Sequence, residues 1–91
     1  IPCAKYATYG TPRLSENIIK ALHGYSACLL ANHGVVTVAQ TLTKALWLAV
    51  EVENLAKQYI MASQIGTPNI LPAEEMDIIV EKFKSYGLKE K

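Results

Sequence analysis

Between Ser26 and Gln40 the chain is largely apolar, and Asn32-His33-Gly34 cuts that stretch into two short runs, 26–31 and 35–40. Runs of this length, partly β-branched, suit strands better than helices. Asn and Gly supply the positive φ angles that a tight connection needs. The simplest arrangement is an antiparallel pair with His33 at or beside the turn. A fold for this chain is thus built around a hairpin whose tip carries an imidazole.

Helical patterns flank that pair. Thr11-Pro12 reads as an N-cap and first helical position, where the missing proline N–H costs nothing. Leu14, Ile18, Ala21 and Leu22 follow at helical spacing and Gly24 supplies a stop, which predicts a first helix over 12–23. From Thr41 to Gln64, Leu42, Ala45, Leu46, Ala49, Val52, Ala56, Tyr59 and Ile60 form one stripe. Leu48, Leu55 and Ala62 widen it, leaving a narrow polar face around Lys44, Glu51, Asn54 and Gln58. Such a helix is expected to be buried on more than one side. Gly66-Thr67-Pro68-Asn69 ends it. A last helix begins near Pro72, with Glu74, Glu75 and Asp77 complementing its N-terminal dipole. It is expected to bury Met76, Ile79, Val80 and Phe83 and to stop before Gly87. With residues 1–10 extended, the order is extended-α-β-β-α-α, an α+β fold.

A length of 91 residues suits one small domain. The formal charge of +1, with no run of Lys or Arg, argues against a nucleic-acid partner. The longest apolar runs are only four or five residues, as in Ala27-Cys28-Leu29-Leu30-Ala31, far short of the roughly 20 that a membrane span needs. A soluble cytoplasmic domain is expected. Yet hydrophobic residues make up 51% and charged residues only 19%, more apolar than so small a surface calls for. That excess predicts apolar surface meant for another chain or for a further part of its own. The opening Ile1-Pro2-Cys3, with neither Met nor a charged leader, likewise predicts a piece of something larger. Cys3 and Cys28 show no metal-like spacing and are expected to be free, buried thiols rather than a bridge.

Few residues offer chemistry. A histidine at a strand end beside a glycine is well placed to present a ring nitrogen to a metal, and the same position equally suits a turn residue without chemistry. His23, at a helix end, reads as complementing the helix dipole. Tyr6, Tyr9 and Tyr86 each carry a hydroxyl able to donate a proton, or serve as amphipathic packing residues. Glu51 and Glu53 lie on opposite sides of a helix and make no carboxylate pair.

Several segments together resemble a known family. They are Ile1-Pro2-Cys3-Ala4 with Tyr6-Ala7-Thr8-Tyr9-Gly10-Thr11, then Leu29-Leu30-Ala31-Asn32-His33-Gly34, then Lys44-Ala45-Leu46-Trp47-Leu48-Ala49 with Glu51-Val52-Glu53 and Leu55-Ala56, and Glu81-Lys82-Phe83-Lys84-Ser85-Tyr86-Gly87. In this order they resemble the C-terminal part of the zinc-dependent class II aldolase/adducin family, and within it the enzymes that cleave L-fuculose 1-phosphate. The resemblance implies a class II aldolase-like α/β/α domain, of which residues 1–91 are the C-terminal portion and the N-terminal half is absent. It implies that His33 is the last of three histidines on a catalytic Zn²⁺ and that Tyr9 lines the substrate site. It implies that Tyr86 reaches the active site of an adjacent subunit in a homotetramer. The other ligands, the acid/base glutamate and the phosphate-binding loops of the family lie upstream, so the chain alone is expected to be inactive. The alternatives are a sister sugar-phosphate epimerase or aldolase of the superfamily, and a non-catalytic adducin-like assembly module.

Overall fold

A computed structural model describes residues 1–85. Their elements are β1 (Cys3–Ala4), α1 (Pro12–Leu22), β2 (Ala27–Leu30), β3 (Gly34–Thr37), α2 (Leu42–Ile65) and α3 (Ala73–Phe83). The chain divides into two compact units, the first Ile1–Glu53 and the second beginning at Asn54. Among the described residues no helix is long and apolar enough to cross a membrane.

The hairpin forms as the sequence predicts. β2 and β3 are antiparallel, with Cys28 opposite Val36 and Leu30 opposite Gly34. The connection is Ala31-Asn32-His33, closed by the His33 N–H donating to the Leu30 carbonyl at 2.9 Å. Asn32 takes φ +65° at the third position of this turn, where a type II geometry demands a left-handed residue and asparagine tolerates it. We predict that Asn32→Val lowers unfolding free energy by about 1–2 kcal/mol, because a β-branched side chain pays the full left-handed penalty. Asn32→Gly should leave it nearly unchanged; urea denaturation of the two variants checks the pair.

The sheet holds a third strand that the sequence leaves as an extended opening. β1 pairs in parallel with β2, Cys3 beside Leu29 and Ala4 beside Leu30, to give the order β1-β2-β3. The Leu29 N–H bonds the Pro2 carbonyl at 2.8 Å and the Ala31 N–H bonds that of Ala4 at 3.2 Å. Helix α1 packs on β1 and β2. Its half-buried residues include Leu14, Ile18, Ala21 and Leu22, the predicted stripe. Thr11 caps it as predicted, its hydroxyl donating to the Thr8 carbonyl and accepting from the Leu14 N–H, and Gly24 leaves it at φ +79°. Ala4, Ala7, Ala27, Cys28 and Val52 are buried and form the core of the first unit.

Two expectations about burial need correction. Cys3 is exposed, while Cys28 is fully buried. Adjacent residues of a strand face opposite sides of a sheet. Cys3 shares a face with Leu29, its partner in register, and Cys28 points the other way, so the thiols are directed apart and stay free. Within the first unit, α2 is covered along Ala45, Leu48, Ala49 and Val52, and its Leu42, Leu46 and Val50 face solvent. Its part in the first unit is therefore not enclosed on several sides by the described residues. Its N-terminus is fastened by the Thr41 hydroxyl accepting from the Lys44 N–H and by the Thr37 hydroxyl donating to the Ala45 carbonyl.

The second unit contains the end of α2, and α3, which starts after Pro72 with Glu74 and Glu75 in its first turn, as the dipole argument predicts. Of the four residues expected to be buried on α3, Ile79 is half-buried, and Met76, Val80 and Phe83 are exposed. The amphipathic pattern identifies a face fit for covering, and among the described residues that face stays largely open.

Candidate functional site

Parallel pairing decides what surrounds His33. It brings the end of β1 to the same sheet end as the end of β2, where the turn carrying the histidine begins. The chain leaving β1 therefore runs past the turn. Its next residues are Lys5, Tyr6 and Ala7, and the Lys5 carbonyl accepts from the side-chain amide of Asn17 of α1 at 3.0 Å.

On that segment Tyr6 and Ala7 both meet the imidazole. The Tyr6 ring stacks on His33 with centroids 5.3 Å apart and planes inclined by 17°. The Ala7 carbonyl lies 2.9 Å from His33 Nε2. A carbonyl only accepts, so Nε2 carries the hydrogen, and the lone pair of the neutral ring lies on Nδ1. Ala7 is itself buried, which makes its carbonyl a fixed partner. His33 remains exposed at the sheet end. An imidazole at the carboxyl ends of strands, held on one face and one edge, is a preorganised donor.

The other predicted residues fall differently. Tyr9 lies on the same segment, two residues beyond Ala7, and is 81% exposed. Tyr86 lies outside the described residues. Sequence reasoning singled out Tyr6 as a hydroxyl-bearing candidate, and the structure gives it a stacking partner. It missed Asn17 and the Ala7 carbonyl, since a backbone acceptor leaves no trace in residue type and Asn17 acts only through the non-local pairing of β1.

Zinc, which the resemblance implies, is a borderline ion that imidazole suits, and structural or catalytic sites take three or four protein donors. Among the described residues no group of three or more His, Cys, Asp or Glu comes together. His33 fits as one ligand. A zinc site built on it needs donors beyond the described residues.

Comparison with known proteins follows the same lines. The sequence profile of the Class II Aldolase and Adducin N-terminal domain matches residues 1–60. An L-fuculose phosphate aldolase of Escherichia coli K12 is 49% identical over 90 residues, covering 98% of this chain and 42% of that protein. A 5-methylthioribulose-1-phosphate/5-deoxyribulose-1-phosphate aldolase of Rhodospirillum rubrum is 54% identical over 82 residues, 90% of this chain and 37% of the relative. Among solved structures, an L-fuculose 1-phosphate aldolase superposes with a TM-score of 0.87 at 50% identity, covering 90% of this chain and 39% of that one. The chain thus spans about two fifths of the length of the relatives it matches. The α+β fold expected from the sequence is that of a solved class II aldolase.

Proposed function

The chain belongs to the class II aldolase and adducin family, and from that premise we propose that it is part of a zinc-dependent aldolase cleaving L-fuculose 1-phosphate to dihydroxyacetone phosphate and L-lactaldehyde. The observation that carries this reading is His33: an exposed imidazole at the carboxyl end of β2, stacked on Tyr6 and bonded to the Ala7 carbonyl.

The reaction breaks the bond between the carbinol carbon and the carbon next to the ketone. A base takes the proton of the carbinol hydroxyl, which becomes the aldehyde. The electron pair of the broken bond passes toward the ketone oxygen, and an acid then returns a proton to the carbon. Zinc, when bound, supplies the Lewis acid that polarises the ketone. His33 contributes one nitrogen donor to it. Tyr9 lines the substrate site, and Tyr86 reaches the active site of a neighbouring subunit in a homotetramer to position or protonate the aldehyde. One donor without the base leaves the 91-residue chain inactive by itself. On this reading the complete enzyme is a cytoplasmic protein.

The likeness to the Rhodospirillum aldolase favours a second substrate, 5-methylthioribulose 1-phosphate. Both are ketose 1-phosphates, and they differ at the end released as aldehyde. The test assays the polypeptide with its native flanking sequence against both, following release of dihydroxyacetone phosphate. We expect kcat/KM for L-fuculose 1-phosphate to be at least ~10-fold higher, a margin that a modest change in an apolar pocket can supply. The reverse order replaces it with the second substrate. No cleavage of either, with no bound metal, supports the adducin-like assembly module.

A further inference from the structure

We propose that Tyr6 is a positioning residue for His33, acting through the face of its ring and not through its hydroxyl. This rests on the aldolase reading for its purpose and on the geometry for its substance. An exposed histidine on a turn has two free torsions and would ordinarily sample several rotamers. Here two consecutive residues remove that freedom in different directions. The Tyr6 ring, 5.3 Å away and inclined by 17°, sets the plane of the imidazole. The Ala7 carbonyl, 2.9 Å from Nε2, sets the direction of one edge and, as long as the stack keeps the ring in its plane, the tautomer.

Neither contact is accidental to a mobile tail. Ala7 is buried, and the Lys5 carbonyl on the same segment is held by Asn17. Tyr6 by contrast is 55% exposed, and the face of its ring stacks on the imidazole. Partners that orient a metal-binding histidine typically matter 10–100-fold for metal affinity. The stack uses only the aromatic face, so a phenyl ring serves as well, whereas a proton-donating role for Tyr6 requires the hydroxyl.

The test uses the polypeptide with its native flanking sequence and the variants Tyr6→Phe and Tyr6→Leu. Zinc affinity is read by competition with a chromophoric chelator, the His33 tautomer by side-chain ¹⁵N spectra of the zinc-free protein, and folding by thermal midpoint. Tyr6→Phe should match the wild type in every readout. Tyr6→Leu should weaken zinc binding roughly 10-fold and mix the two tautomers, with an almost unchanged midpoint. Affinity within about twofold and a single tautomer in Tyr6→Leu would overturn the proposal, as would loss of affinity in Tyr6→Phe. If Tyr6→Leu does not fold, the wild type decides: nuclear Overhauser contacts between the two rings are required, and their absence refutes the stack. A wild type that binds no zinc defeats the aldolase reading, and the tautomer comparison then judges Tyr6 independently.

Discussion

His33→Gln, made in the polypeptide with its native flanks, is expected to lose stoichiometric zinc and to lower kcat/KM on the order of 10³-fold or more, while its thermal midpoint stays within a few degrees of that of the zinc-free wild type. The magnitude is that of removing a preorganised electrophilic stabiliser from a developing oxyanion. Glutamine is the informative replacement. Its amide N–H₂ is able to donate to the Ala7 carbonyl, so that the partner of Nε2 is not orphaned. What it lacks is the nitrogen lone pair that binds zinc. The exposure of His33 keeps the stability effect small, since surface substitutions usually stay within ~0.5 kcal/mol. A loss of activity accompanied by unfolding would therefore count against the ligand role. Full activity with zinc retained would remove it, and an active protein without zinc would transfer the chemistry to other groups. Metal content by atomic absorption and kinetics on the same preparations separate these outcomes.

What the residues disclosed and what they hid divide along the distance between interacting positions. The cap at Thr11, the stop at Gly24 and the turn at Asn32 are decided within four residues, and each is where local chemistry places it. The antiparallel partners β2 and β3 are joined by three residues, so apolar runs and a turn suffice to find them. β1 is different. Its two residues are too few to show a period, and its partner lies 26 positions away, Cys3 beside Leu29. No local signal specifies such a pairing.

The histidine was conspicuous because it interrupted apolar sequence. Its environment was invisible because Tyr6 and Ala7 arrive through β1. The long helix teaches a complementary lesson. Leu42 and Leu46 belong to a pattern that demands cover, and within the first unit they remain exposed. Periodicity reports which face is apolar; it says nothing about whose surface lies against it. A composition of 51% hydrophobic residues is consistent with that excess.

The second large effect is expected at Cys28, where Cys28→Asp should destabilise the protein by at least about 3 kcal/mol, the cost of burying a carboxyl without partners. The side chain is 0% exposed and lies on the face of the sheet shared with Ala4, beneath α1. A carboxylate there must either stay charged in an apolar setting or take up a proton. Cys28→Ala removes only the sulfur and should cost about 1 kcal/mol. Cys3→Asp, on the open face, should cost less than ~0.5 kcal/mol. The wild-type thiol already feels the site: burial, and secondarily the neighbouring Cys3 thiol, push Cys28 above the ordinary thiol range. A group whose pKa is raised by folding binds its proton more tightly in the native state. Its contribution is therefore intact below the unfolded thiol pKa, about 8.5, and is lost as pH rises from there through the higher native value. Urea midpoints measured from neutral to alkaline pH should fall more steeply for wild type than for Cys28→Ala. In the folded protein a thiol-specific reagent should titrate Cys3 promptly and reach Cys28 only on unfolding. Equal slopes, or prompt modification of both thiols, would place Cys28 in contact with water and remove the basis for the large effect of the aspartate.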